Sequence, residues 1–243
     1  MHWNRIRPLV DSIVYAKLTE HFEENPADGK MIIDCRSTNG SGTAGYFGTG
    51  SVTFKDSSEL AQPINAQASI YWPATRDSEP RALGLSFTDH ARLNCCGGLY
   101  LGGYLNAPVK KEIPLDVTLT LDSDADHVVG RMGVGVNIGD AELNLAQGSL
   151  SVTNGALHIP RHANFHKGNT PHVNLSGKFN MTGGSLYVKG KASLTSTSPN
   201  GFLLGNTLPL PSSSMEGLTT IDTYSGTFNL MDGAVTNDAG FVI

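Results

Sequence analysis

Charge is scarce in this chain. Only 16 % of its 243 residues are Asp, Glu, Lys or Arg, against about 25 % in an ordinary soluble domain. The 17 Lys and Arg are outnumbered by 22 Asp and Glu, and they form no basic stripe. Nucleic acid is therefore not an expected partner, because neutralising phosphates needs clustered cations. No apolar run approaches the roughly 18 residues of a spanning helix, so no membrane partner is expected either. Cysteine is rarer still, with Cys35, Cys95 and Cys96 alone. An odd count with one adjacent pair makes no disulfide framework, and the spacing matches no zinc site. Three thiols kept reduced in a cytosol, or one cross-link to another subunit, fit that count. A secretory signal is also not expected, since Arg5, Arg7, Asp11, Lys17, Glu20, Glu23 and Glu24 interrupt the first 24 residues. With 39 % hydrophobic and 7 % aromatic residues, the chain is neither a disordered acidic tail nor a membrane bundle.

Glycine is abundant, at 28 residues, and charge thins out along the chain in a way that divides it. Residues 1–30 hold 9 charged residues, whereas residues 130–243 hold 12 in 114 together with 17 glycines. In residues 1–30, Ile6, Val10, Val14, Leu18 and Phe22 form an i, i+4 row that Leu9 and Ile13 widen to a stripe. This predicts an N-terminal α-helix ending at Glu23-Glu24-Asn25-Pro26, which either caps the chain's own core or docks onto a partner. Residues 31–129 read as an irregular β region. Alternation shows at Val52–Phe54, Ile70–Trp72, Leu83–Phe87 and Leu115–Leu121, between stretches rich in Gly, Ser and Pro.

Residues 130–243 carry a repeat. Apolar pairs with one residue between them recur at spacings of six or seven: Val136/Ile138, Leu143/Leu145, Leu150/Val152 and Leu157/Ile159, then Val173/Leu175, Phe179/Met181, Leu186/Val188 and Ala192/Leu194. On top of them lies a longer motif, apolar-Asn-apolar-x-x-Gly-small-apolar. It occurs as Leu143–Leu150, Phe179–Leu186 and Phe228–Val235. A coiled-coil heptad fails here, because i, i+2 is strand spacing and glycine sits in nearly every unit. Each unit reads as a short strand and a turn. Three units make about 21 residues, a suitable length for one coil of a three-sided parallel β-solenoid. The i, i+2 side chains would then fill the interior. Asn144, Asn180 and Asn229 would face outward or form a side-chain ladder. The fold class expected is mainly β: an N-terminal α-helix, an irregular β region and a right-handed parallel β-solenoid, with an antiparallel β sandwich as the alternative. Its expected core is Val136, Ile138, Leu143, Leu145, Leu150, Val152, Phe179, Met181, Leu186, Val188, Phe228 and Leu230.

The stretches Gly177–Val188 and Gly226–Gly233 resemble rungs of right-handed parallel β-helices, as found in autotransporter passengers, bacteriophage tailspikes and head fibres, and polysaccharide lyases. The resemblance covers residues 130–243 and carries over no catalytic residue. With no signal expected, it points towards the virion proteins of this group: made in the host cytoplasm, docked by an N-terminal part and assembled as homotrimers.

Candidate sites are weak beside their structural readings. Asp122, Asp124 and Asp126 open like a calcium loop, but His127 stands where that loop needs glycine and Gly133 where it needs Glu. His158, His162, His166 and His172 have metal-like spacing, yet Pro160, Gly168 and Pro171 argue for an insertion loop. Asp140 and Glu142 would share a face in a strand, although a turn is expected there. Tyr46, Phe47, Tyr71, Trp72, Tyr100 and Tyr104 could stack on a glycan if exposed. No nucleophile elbow or phosphate loop is present. The sequence is therefore read as a non-enzymatic structural protein of a virus particle with no cofactor or metal. Its expected partners are other copies of itself and other virion proteins, with a host surface glycan as a further candidate. A carbohydrate-binding or carbohydrate-cleaving β-helix protein and a bacterial surface adhesin are the alternatives.

Overall fold

The computed structural model describes residues 30–32, 45–46, 52–61, 70–72, 81–95, 97–101, 115–135, 139–159, 173–190, 201–204, 221–238 and 241–242. The predicted helical stripe of Ile6, Leu9, Val10, Ile13, Val14, Leu18 and Phe22 lies outside them. Among the described residues there is no helix, and none long and apolar enough to cross a membrane.

Among the described residues, twenty strands form three sheets. The first sheet holds β1 (Lys30–Ile32), β4 (Glu59–Ala61), β7 (Arg92–Cys95), β10 (Asp126–Val129), β13 (Ser149–Val152), β16 (Ser185–Val188) and β19 (Ala234–Asn237). The second holds β2 (Gly45–Tyr46), β5 (Ile70–Trp72), β8 (Leu99–Leu101), β11 (Met132–Val134), β14 (Ala156–Ile159), β17 (Gly201–Leu204) and β20 (Phe241–Val242). The third holds β3 (Val52–Phe54), β6 (Arg81–Asp89), β9 (Leu115–Ser123), β12 (Gly139–Leu145), β15 (Val173–Met181) and β18 (Ile221–Leu230). The chain visits the sheets in strict rotation, so every strand pairs with the strand three places along. All of these pairings are parallel. The antiparallel sandwich is thereby set aside. Strands from 31–129 and from 130–243 are neighbours in all three sheets, as at β7–β10, β8–β11 and β9–β12.

Successive passes are not equally long. Ser149 lies 23 residues after its neighbour Asp126, close to the coil length expected from the repeat. Asn180 lies 36 residues after Asn144, and Asn229 lies 49 after Asn180. Extra chain enters between strands while strand register is kept.

Alternation along each strand puts one face into a shared interior. Leu143, Leu145, Leu150, Val152, Phe179, Met181, Leu186 and Val188 are all buried there. Phe228 is only partly buried, and Leu230 is 52 % exposed. Expected as core, Leu230 departs from it because, among the described residues, β18 is the edge strand of its sheet. Val136 and Ile138 lie outside the described residues. Identical positions stack into columns, since parallel strands sit about 4.8 Å apart. One column runs Leu85, Leu119, Leu143, Phe179, Phe228, and the next runs Phe54, Phe87, Leu121, Leu145, Met181, Leu230. Phe54 and Phe87 stack with centroids 4.9 Å apart and planes within 7°.

The corners between the third and first sheets explain the glycine of the motif. Gly148, Gly184 and Gly233 have φ of +69°, +72° and +104°. A Cβ on Gly184 would stand 2.6 Å from the carbonyl oxygen of Gly148, and one on Gly233 would stand 2.6 Å from that of Gly184. The corners are thus packed backbone on backbone, and only glycine meets both demands. In earlier passes Asp56 and Asp89, at φ 53° and 57°, take the left-handed corner, a conformation Asp tolerates better than most residues.

Candidate functional site: a polar ladder outside the third sheet

The same alternation that buries Leu143 and Leu145 turns Asp140, Glu142 and Asn144 to the opposite face of β12. Asp140 and Glu142 do share a face, and they lie in a strand, which corrects the expected turn. Stacking continues the pattern on neighbouring strands. Three outer columns result: Asp116–Asp140–Ser176–Ser225, Thr118–Glu142–Lys178–Thr227, and Thr120–Asn144–Asn180–Asn229.

The third column is a hydrogen-bonded ladder. Asn229 donates through Nδ2 to Oδ1 of Asn180 at 2.8 Å, and Asn180 donates through Nδ2 to Oδ1 of Asn144 at 2.8 Å. Asn180 also donates to Oε1 of Glu142 at 2.6 Å. Asparagine suits this position because its amide is donor on one side and acceptor on the other, so each residue serves both neighbours. Asn180, at the middle, is buried and has its carbonyl and amino groups engaged. Lys178 stands 3.9 Å from the second oxygen of Glu142, an exposed pair of small energetic weight. The three carboxylates in these columns divide accordingly. Glu142 is held by Asn180 and Lys178, whereas Asp116 and Asp140 are exposed.

A Ser–His pair that the sequence reading did not single out lies inside the core. His127 is fully buried at a column position otherwise filled by Leu60, Leu93, Leu150 and Leu186. The backbone N–H of Leu93 donates to its Nδ1 at 3.1 Å. The proton of the neutral ring therefore sits on Nε2, which faces the Ser123 hydroxyl at 2.9 Å. That hydroxyl in turn donates to the carbonyl of Ala91 at 2.7 Å. Burial, aided by the charge of Arg92 and opposed by Asp126, lowers the His127 pKa to about 4. A serine nucleophile needs an unprotonated nitrogen facing its hydroxyl. Here the facing nitrogen carries the proton, so the pair ties two passes of chain together. Its i, i+4 spacing is visible in the sequence, but the partners on Leu93 and Ala91 are not.

The acidic turn does not converge. Asp122 accepts from Gln147 at 2.9 Å, Asp124 pairs with His90 at 2.8 Å, and Asp126 accepts from Ser149. The hydrogen bond and charge of Asp124 raise the His90 pKa. Among the described residues no group of three or more His, Cys, Asp or Glu is arranged to hold a metal ion. His158 is buried in β14, and His162, His166 and His172 lie outside the described residues. Tyr100 is 3 % exposed, which removes it as a glycan platform. Tyr46, Tyr71 and Tyr100 are in register in the second sheet, with Trp72 next to Tyr71. Phe47 and Tyr104 lie outside the described residues. Cys95 is buried in the core, and Cys35 and Cys96 lie outside the described residues.

No protein-family model, curated protein or solved structure matches this chain.

Proposed function

We propose that the chain is a right-handed, three-sided parallel β-solenoid that works as a non-enzymatic structural protein of a virus particle. It would be a bacteriophage decoration, fibre or spike component that docks by its N-terminal part and presents its β body outward. The observation that carries this reading is the rotation of twenty strands through three parallel sheets over one shared core. Such a body is stiff along its axis because each pass is hydrogen-bonded to the next. The right-handed sense follows the strong preference of parallel β crossovers. The polar groups gathered by the fold serve cohesion as well. The asparagine ladder, the bonds of His127 to Leu93 and of Ser123 to Ala91, and the Asp122–Gln147 bond each join neighbouring passes. A second reading, as a carbohydrate-cleaving protein, rests on Asp116, Asp140 and Glu142 sharing an open face.

Particles purified from cultures of the cell that encodes the chain, analysed by quantitative mass spectrometry, test the proposal. Many copies per particle are expected. Recovery only in the soluble or envelope fraction overturns the virion role, and release of reducing sugar that is lost in Asp140→Asn supports the second reading.

A further inference from the structure

We propose that the corner Asn154-Gly155 is a self-modifying site, where the Gly155 nitrogen attacks the Asn154 side-chain amide and the Arg131 guanidinium of the preceding pass promotes the step. The inference concerns a corner within the stack and stands apart from the virion role.

The pair turns the chain from the first sheet to the second. β13 ends at Val152 and β14 starts at Ala156, so Thr153, Asn154 and Gly155 make the corner. In the preceding pass Gly130 and Arg131 make the same corner between β10 and β11. Backbone bonds fix one corner on the other. Thr153 N–H donates to the Val129 carbonyl at 2.9 Å, and Asn154 N–H donates to the Gly130 carbonyl at 2.8 Å. The Arg131 carbonyl accepts from Leu99 N–H at 2.9 Å, which holds Arg131 from the other side.

Three features converge on one peptide bond. The Asn154 side chain is exposed, and its amide makes no hydrogen bond among the described residues. Gly155 is buried, yet its N–H donates to nothing among the described residues. A buried amide without a partner is rare and calls for an explanation. The third feature is Arg131, whose Nε donates to the main-chain carbonyl of Asn154 at 3.3 Å. Only glycine leaves room for that side chain, because Cγ and Nε of Arg131 lie 2.8 and 3.1 Å from where a Cβ on residue 155 would stand. The Asn154 carbonyl oxygen and the Gly155 nitrogen belong to the same peptide unit. When the nitrogen loses its proton, resonance spreads the negative charge onto that oxygen. A guanidinium hydrogen-bonded there stabilises the anion, which is the attacking species.

The step balances with water alone. Hydroxide takes the Gly155 amide proton, and the nitrogen electron pair forms a bond to Cγ of Asn154. The bond from Cγ to the side-chain nitrogen breaks, and ammonia leaves with a proton from water. The product is a five-membered succinimide. Water then opens either ring carbonyl, giving aspartate or the isomer in which the main chain runs through Cβ and Cγ. One water is consumed and one ammonia released. Either product sets a carboxylate beside Arg131 and makes the net charge of −5 one unit more negative. The isomer also adds a backbone carbon to the corner.

The test is peptide mapping by mass spectrometry of the full chain, held at neutral pH and body temperature and sampled over weeks. It reads the fraction of residue 154 present as asparagine, aspartate or isoaspartate, and hydroxylamine cleavage after residue 154 reports the succinimide. Residue 154 is expected to convert faster in the folded chain than in the same chain kept in urea. Arg131→Gln should slow conversion in the fold about threefold or more and change nothing in urea. Two further Asn-Gly steps, Asn39-Gly40 and Asn200-Gly201, are references within the same sample that the substitution should not move. Far-UV circular dichroism checks that the variant keeps its β structure; if it does not fold, the comparison of folded and urea-treated wild type decides. Slower conversion of residue 154 in the fold than in urea, absence of hydroxylamine cleavage there, or a folded Arg131→Gln chain that converts as fast as wild type overturns the inference.

Discussion

At the residue scale, His127 and Gly184 show how single side chains are committed to the stack. His127 is neutral in the fold with a pKa of about 4, whereas an unfolded histidine titrates near 6.5. Between those values the unfolded chain takes up a proton that the folded chain refuses. Stability conferred by the neutral ring is thus present above pH 6.5 and lost as pH falls towards 4. The loss is expected to reach about 3 kcal/mol at full extent. Urea unfolding at pH 7 and pH 5 should show it, and His127→Leu should flatten that part of the profile. The exposed His90–Asp124 pair has the opposite sign, since its raised pKa favours the fold at low pH and fades as pH rises through that value. At Gly184 a methyl group meets both a left-handed backbone and the Gly148 carbonyl. Gly184→Ala should cost about 2 kcal/mol or more, read as a lower denaturation midpoint with an unchanged slope.

At the element scale, strands are held by what stands beside them in the column, three elements away along the chain. The ladder on β12, β15 and β18 is the clearest case. Asn180→Ala removes three hydrogen bonds and leaves acceptors on Glu142 and Asn144 and a donor on Asn229. A loss of about 1–3 kcal/mol in thermal or urea unfolding is expected. Asn229→Ala, with one recorded ladder bond on an edge strand, should cost less. Equal effects would show that the ladder has no cooperative centre. The same logic explains why the apolar pairs Leu143/Leu145, Leu150/Val152, Phe179/Met181 and Leu186/Val188 are buried while Leu230 is exposed. Alternation decides which way a side chain turns, but burial also needs a neighbouring strand on each side.

At the scale of the whole molecule, three sheets of parallel neighbours make stability nearly one-dimensional, each pass contacting mainly the passes before and after it. Opening should therefore begin at exposed ends. Amide exchange is expected to be slowest in β9, β12 and β15, whose strands are paired on both sides. It should be faster by orders of magnitude in β18 and β19, which are paired on one side. Exchange measured peptide by peptide would show a gradient along the stack, and uniform protection would contradict the one-dimensional view.

Much of this molecule was legible in local spacing. The i, i+2 apolar pairs of residues 143–188, the recurring glycine and the three asparagines determined strands, tight corners, an interior and an outward ladder, because these depend on side-chain direction and backbone freedom within a few residues. Spacing could not determine pairing. Parallel and antiparallel neighbours share the same alternation, and partners lie 23 to 49 residues apart with unequal insertions between them. For that reason the strands of 31–129 looked irregular in sequence, although they occupy the same three sheets. The Ser123–His127 relay, the Asp116–Asp140 column and the exposure of Leu230 likewise arise only when distant passes are stacked. Alternation along a strand is a property of the local chain, whereas what stands above and below each side chain is decided by the tertiary fold.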